Sequence, residues 1–314
     1  MTNRTKSEHV FKDPAFPLTV MRLENHGNTA VHSHEFHELV VILEGRGRHI
    51  ADGQEYQIDA GDVFLIRGDM KHGYADTDRM TLVNILFDPR RLRLPLSYLE
   101  DLPGYQALFR VEPGLRAHEG FRNRLRLSEE YLAEAAGMIF RLQQELKDRK
   151  PGYRFHACAY LMSLIGFLSR CFGHATEHAG RPMLRMGEVL SYIEQHYREQ
   201  VTVKDLTRIA HMSESTLMRT FRRVLGRSPV AHVIRVRVLR AADLLQRGGV
   251  RATEAAFECG FNDSNYFSRQ FRRVLGVSPR EYRTRYLSPG AAERKARKEP
   301  SMSRSPRRKK SRRT

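Results

Sequence analysis

The chain has 314 residues, with 54 Lys and Arg against 36 Asp and Glu, and a formal net charge of +18. That length is more than one hydrophobic core normally serves, so two domains are expected, and the basic excess points to a polyanionic partner. Three cysteines, Cys158, Cys171 and Cys259, with no C-x-x-C pair, exclude a disulfide scaffold and suit free thiols in a reducing compartment.

The first residues are polar and lack the apolar run of a secretory signal. Residues 1–17 carry Pro14 and Pro17 and are expected to form a flexible arm. Short alternating segments follow from Leu18: LTVMRLENHG, HELVVILEG, RGRHIADG, QEYQIDAG, DVFLIRGD and TLVNILFD. Gly27, Gly45, Gly61, Gly68 and Asp76 to Asp78 separate them, and Asp52-Gly53 is a strong hairpin signal. Several short strands at roughly eight-residue spacing predict a sandwich or small barrel over 18–95.

Histidines and a carboxylate punctuate these strands. His32, His34 and Glu38 form H-x-H-x-x-x-E, and His72 follows the Gly61 to Ile66 segment. Their residue types leave three occupants open: a polar effector in a pocket that also includes Arg48 and Tyr74, a divalent metal on His32, His34, Glu38 and His72, or structural histidines.

Residues 96–172 read as a connector followed by two long helices. One is predicted from about Ser128 to Lys147 with Leu132, Ala135, Ala136, Ile139, Leu142 and Leu146 on its apolar face; Pro151-Gly152 ends it, and Tyr153 to Phe172 gives the next. The apolar stretch of that second helix is too short and too polar to be a confident membrane span, so a cytoplasmic protein without a membrane partner is expected. Residues 173–183 are polar and glycine-bearing, an interdomain linker.

The region 184–290 contains one pattern twice. FRRVLGRSP at Phe221 to Pro229 returns as FRRVLGVSP at Phe271 to Pro279, eight of nine residues identical at a spacing of 50. Each copy reads as a short helix, a turn and a second helix, closed by Gly226 or Gly276 and a Ser-Pro pair. Leu217, Phe221, Val224 and Leu225 point inward in the first copy, as do Phe267, Phe271, Val274 and Leu275 in the second. Ser215, Met218, Arg219 and Arg222 then face outward, as do Ser264, Asn265, Ser268, Arg269 and Arg272. Arginine reads guanine, asparagine reads adenine and serine binds phosphate or a base edge, so these faces suit a DNA major groove. Between the copies, Val230 to Leu245 is the candidate linker helix.

The last 24 residues are Arg, Lys, Ser and Pro without apolar period, a disordered basic tail over 291–314. Lys and Arg against Asp and Glu number 24 and 24 in residues 1–183, 19 and 10 in 184–290, and 11 and 2 in the tail. The excess thus lies in the C-terminal part, where double-stranded DNA is the expected partner.

On these residues the C-terminal part resembles the DNA-binding domain of the AraC/XylS family of transcription regulators. Most of the likeness lies in A-x-x-x-GF-x-D-x-x-YFSRQFRRVLGVSPREYR, Ala256 to Arg283. The resemblance implies seven helices with one long helix joining two helix-turn-helix units, and DNA contacts at Ser215, Met218, Arg219, Ser264, Asn265, Ser268 and Arg269. Thr207 and Thr253 depart from the family pattern. The histidine motif resembles those of the cupin superfamily, with Arg67 and Asp69 replacing the usual proline and glycine of the second motif. H-x-H-x-F-x-E-L-V at His32 to Val40, Gly61 to Ile66 and Lys71 to Ala75 resemble the regulators of L-rhamnose catabolism. This implies a sugar effector, and helices after the barrel that make a homodimer.

The expected fold is α+β and multidomain: an N-terminal cupin-like β-barrel with a helical dimerisation segment, and a C-terminal all-α domain with two helix-turn-helix units. The expected function is a sugar-responsive transcription activator that engages RNA polymerase and needs no cofactor. Two competing readings are a metal-dependent cupin enzyme fused to a DNA-binding module and a ligand-independent architectural DNA binder.

Overall fold

The computed structural model describes residues 3–92, 94–114, 125–175 and 181–287. The Asp52-Gly53 hairpin forms as its sequence demands. Asp52 (φ 46°) and Gly53 (φ 83°) both adopt the left-handed backbone of a tight turn, and Ala51 pairs with Gln54 across it.

The strands are β1 (Asn3–Thr5), β2 (Leu18–Leu23), β3 (Thr29–His34), β4 (His37–Ala51), β5 (Gln54–Asp59), β6 (Asp62–Ile66), β7 (His72–Phe87) and β8 (Leu125–Arg126). Gly45 and Asp76 to Asp78, expected to separate strands, lie inside β4 and β7, whose register shifts there. Gly45 has φ 73°, and a Cβ on it would overlap the carbonyl oxygens of Asp78 and Arg79, so this bend is a bulge that accepts only glycine. The bends let two long strands serve two layers. Residues 37–44 of β4 and 81–87 of β7 pair with each other and with β6 and β2, while residues 46–51 and 72–78 pair with each other and with β5 and β3. Among the described residues the pairings run β1-β3-β7-β4-β6-β8 without returning to their start, so the expected barrel does not close.

Period-two alternation fills the space between the layers. Val40, Ile42, Ile58, Phe64, Ile66, Met80 and Leu82 form one buried cluster. Leu39, Val41, Val63 and Leu65 face the other way and are buried too, because helices cover that side; a strand covered on both faces reads as a continuous apolar run.

The expected flexible arm instead carries regular structure. β1 pairs in parallel with β3, a short helix α1 (Ser7–Val10) follows, and Phe11 lies edge-on to Phe36 at 5.2 Å. Phe11 and Phe16 are buried, an apolar signal that the two prolines masked.

After β7 come α2 (Pro89–Leu92), a 3-10 turn (Leu96–Leu99) and α3 (Pro103–Tyr105), which runs into a π-helical segment, Gln106–Val111. Helices α4 (Glu129–Asp148) and α5 (Tyr153–Ala175) then pack against each other. Ser128 caps α4 by accepting from Tyr131 N. Tyr153–Gly173 has the length and hydropathy of a membrane span, but Leu161, Leu164, Ile165 and Leu168 are buried within the protein.

The seven helices of the C-terminal part are α6 (Arg181–His196), α7 (Val203–Ala210), α8 (Glu214–Leu225), α9 (Pro229–Arg247), α10 (Ala252–Glu258), α11 (Ser264–Leu275) and α12 (Pro279–Leu287). The chain forms two compact units, 1–233 and 234 onward. Their division falls inside α9 and not in the expected linker 173–183, of which 176–180 lie outside the described residues. The physical reason is close packing: α6 lies against α3 and the π-helical segment, and Ser191 Oγ and Gln195 Nε2 both donate to Asp101 O. Gly187 meets Pro103 so closely that a Cβ would overlap its carbonyl. In the second unit an aromatic ladder runs Phe261, Phe267, Phe271, Tyr282 at 5.0 to 5.4 Å between ring centroids. The basic tail lies outside the described residues.

Candidate functional site

The turn from β3 into β4 brings His34 back over Glu38. Glu38 shares the inner face with Val40 and Ile42, and Ile66 stands opposite it. His72 opens β7 directly across from His32 of β3, their rings 4.2 Å apart. His34, Glu38 and His72 thus each place a ligand atom within 4.8 Å of the others, all three side chains buried. His32 is half-buried and stands at the edge of this trio.

Backbone carbonyls fix each imidazole. His32 Nδ1 faces Ala30 O at 3.0 Å, His34 Nδ1 faces Phe36 O at 2.8 Å and His72 Nδ1 faces Met70 O at 3.2 Å. A carbonyl accepts only, so each Nδ1 is a donor, and the Nε2 atoms of His34 and His72 are turned toward Glu38. His34 Nε2 lies 2.9 Å from Glu38 Oε2, and with acceptors at both nitrogens it donates there as well, a buried charge-assisted pair. Burial opposes the charge on Glu38, yet the hydrogen bond from His34 holds its carboxyl below the usual range. His72 Nε2 is 3.7 Å from the same oxygen and has no hydrogen-bond partner among the described residues. Burial, only partly opposed by Glu38, pushes the His72 imidazole down to about 4, so the ring is neutral and its Nε2 is an acceptor.

Tyr74 lies on the same inner face, its ring 5.3 Å from those of His26 and His49. Arg48, expected in this pocket, points the other way and pairs with Glu55 and with Asp76 at 2.6 Å. Alternation decides this: His49, its neighbour, takes the inward position and is fully buried. Sequence reasoning missed His49 and His26; counting from the Asp52-Gly53 turn at period two would have found His49.

Next to the trio runs the loop between β6 and β7. Its Asp69 N donates to His34 O at 2.6 Å, and its Met70 O receives His72. Its Arg67 reaches away, donating through Nη2 to Phe109 O at 2.9 Å and Arg110 O at 2.7 Å in the π-helical segment. That segment packs on α6 and touches α8, and Gly114 just beyond it abuts the Val224 backbone.

The two repeated units have matching caps. Ser213 accepts from Thr216 N at the start of α8, Asp263 accepts from Tyr266 N at the start of α11, and Gly226 (φ 66°) and Gly276 (φ 77°) close them. Their turns differ by one residue: His211 (φ 50°) stands two before its cap, Gly260 (φ 82°) three before. Leu217, Phe221 and Val224 are buried, as are Phe267 and Phe271. Ser215, Arg219 and Arg222 are exposed and Met218 half-buried; Asn265, Ser268, Arg269 and Arg272 are exposed and Ser264 half-buried. Each face therefore turns its predicted residues outward. Sequence reasoning missed Tyr266, whose exposed ring carries the Arg269 guanidinium 5.8 Å from its centroid.

Comparison with known proteins follows the same two parts. Residues 19–165 match the AraC-like ligand binding domain and residues 206–285 a helix-turn-helix domain. The chain is 30% identical over 257 residues to the HTH-type transcriptional activator RhaS of Klebsiella pneumoniae (strain 342), covering 80% of this chain and 86% of that protein. It is 29% identical to the activator RhaR of Enterobacter sp. (strain 638), over 82% and 87%. A probable AraC family transcriptional regulator from Rhodopseudomonas palustris CGA009 is similar at 31% identity over 33% of this chain and 98% of that one, with a TM-score of 0.31. The named activators are regulators of transcription and not enzymes. With a ligand-binding part, two helix-turn-helix units and relatives matched over most of their length, the chain belongs to the AraC family of DNA-binding transcription regulators.

Proposed function

We propose that this regulator activates transcription in answer to a small polyhydroxylated molecule, a sugar, held at the His34, Glu38 and His72 end of the sandwich. One observation carries the reading: His72 Nε2, a buried neutral acceptor without a partner, beside a carboxylate. Both groups accept, so two neighbouring hydroxyls on one sugar edge can donate to His72 and Glu38 respectively, and leaving such groups unpaired is costly enough to select among ligands. His32 and Tyr74 flank the position. Calorimetry of the full chain with a sugar panel tests it: a sugar should bind the parent and bind His72→Ala at least tenfold more weakly. Equal binding to both proteins would remove the site from the histidines.

Binding would be relayed through the β6–β7 loop. A ligand on His72 bears on Met70 and Asp69, and Arg67 carries that displacement to the π-helical segment, α6 and α8. Ser215, Met218, Arg219 and Arg222 on α8, and Ser264, Asn265, Ser268, Arg269 and Arg272 on α11, are then the DNA-reading residues. The regulator works in the cytoplasm beside the genome and with RNA polymerase. A homodimer is supported by α4, where Ala133, Gly137 and Phe140 are exposed along one side.

A second reading concerns a divalent metal. Two imidazoles, those of His34 and His72, anchored at Nδ1 by backbone carbonyls and joined by the Glu38 carboxylate, fit a transition-metal donor set. His34, Glu38 and His72 would hold the ion, which would supply a fixed positive charge for an effector oxygen. His34 must first lose its Nε2 proton, so uptake would release acid. Metal analysis of the purified full chain, before and after chelation, decides between the two occupants.

A further inference from the structure

We propose that a second cleft, outside the sandwich, is a binding site for a phosphorylated sugar. It has a volume of about 570 Å³ and lies between the N-terminal segment, β2, the end of α4 and the start of α5. That size is within the range of small-molecule sites, and none of the histidine cluster lines it.

Its charge is one-sided. Lys12, Lys147 and Arg149 line it, and none of them has a carboxylate partner among the described residues. The acidic side chain at its edge, Asp13, is already committed: Oδ2 accepts from Arg154 at 2.6 Å and Oδ1 from Ala15 N at 3.0 Å. Lys147 and Arg149 at the end of α4 complement the negative pole of that helix. Lys12 belongs to no such pole, yet it lines the same cleft from a different segment. Three cations from two segments exceed what one monocarboxylate neutralises and match a phosphate monoester, whose charge is about −1.5 to −2 at neutral pH.

The remaining walls suit the rest of such a ligand. Phe16 and Tyr153 meet edge to face at 5.9 Å, with Phe16 buried and Tyr153 half-buried, and the Arg149 guanidinium stands 5.9 Å from the tyrosine ring centroid, so an aromatic wall holds one of the cations at the cleft. Gln143, Gln144 and Thr19 have no side-chain partner among the described residues. Their amides and hydroxyl can bond sugar hydroxyls.

The test is titration of the full chain with hexose and pentose phosphates, each beside its parent sugar and inorganic phosphate. At least one sugar phosphate should bind tenfold tighter than both controls. That preference should fall at least tenfold in Lys12→Gln with Lys147→Gln, two exposed positions whose change leaves the core intact, and persist in His72→Ala. Equal binding of inorganic phosphate would mean an adventitious anion patch only and would overturn the proposal. So would the absence of any preferred sugar phosphate, or a preference that vanishes with His72 and survives loss of the lysines. Because the histidine site is read through His72 alone, the failure of either site leaves the other standing.

Discussion

Arg67 Nη2 donates to the carbonyl oxygen of Phe109 at 2.9 Å, joining the loop that holds His72 to the π-helical segment under the first helix-turn-helix unit. The same nitrogen reaches Arg110 O at 2.7 Å. A carbonyl oxygen has two lone pairs, so it can take a side-chain donor beside its helical one, and a guanidinium can meet two carbonyls at once. Arg67→Ala should leave sugar binding and basal operator affinity within about twofold and lower induction at least tenfold. Reporter assays beside calorimetry check this, and unchanged induction would remove Arg67 from the relay.

On α11, Tyr266 props the guanidinium of Arg269, which reduces the freedom that base contact would otherwise cost. Arg269→Ala should cost about 1 to 3 kcal/mol of specific binding if it reads a guanine. Tyr266→Leu should weaken specific binding by less and leave random-sequence binding unchanged. Gel-shift titrations at fixed salt measure both, and a Tyr266→Leu loss equal on random DNA would make the ring a general contact.

The caps offer a direct test of the repeat. Asp263 is the N-cap of α11 and Ser213 that of α8, so replacing either with alanine should cost about 1 kcal/mol of stability. Denaturant unfolding followed by circular dichroism would show a lowered midpoint with an unchanged slope. No change at either position would mean that the tight packing of Phe221 or Phe271 alone sets the helix start.

Local signals were legible and long-range ones were not. The Asp52-Gly53 hairpin, the helix starting near Ser128, both repeated units and the convergence of His34, Glu38 and His72 follow from spacing and residue type. Gly45 misled because a glycine with positive φ marks a bulge as readily as a turn, and only the Arg79 carbonyl across the strand pair distinguishes them. Arg48 was placed one position out of phase, although counting back at period two from the Asp52-Gly53 turn puts Ala51 and His49 on the buried face. The docking of α6 on α3 rests on Gly187 meeting Pro103, some eighty residues apart in sequence, which no local pattern announces.

His37 supplies a pH test. It lies beside Glu38 in β4, its ring 5.8 Å from that of Phe87. Burial, with the charge of Arg67, pushes its imidazole down to about 4 against the opposing charge of Asp88. An unfolded histidine titrates near 6.5. Above that value both states are neutral and the residue contributes no pH dependence. Between about 6.5 and 4 the unfolded chain takes up a proton that the folded one refuses, so stability falls as pH falls, and below about 4 the loss is complete. The full effect is on the order of 3 kcal/mol. His37→Gln stays neutral throughout, so its unfolding midpoint in urea should track the parent above pH 7 and fall less steeply toward pH 4.5. His72, also lowered, stays in both proteins, so the difference between the two curves isolates His37. Parallel curves over this range would mean that the folded His37 accepts a proton as freely as the unfolded one.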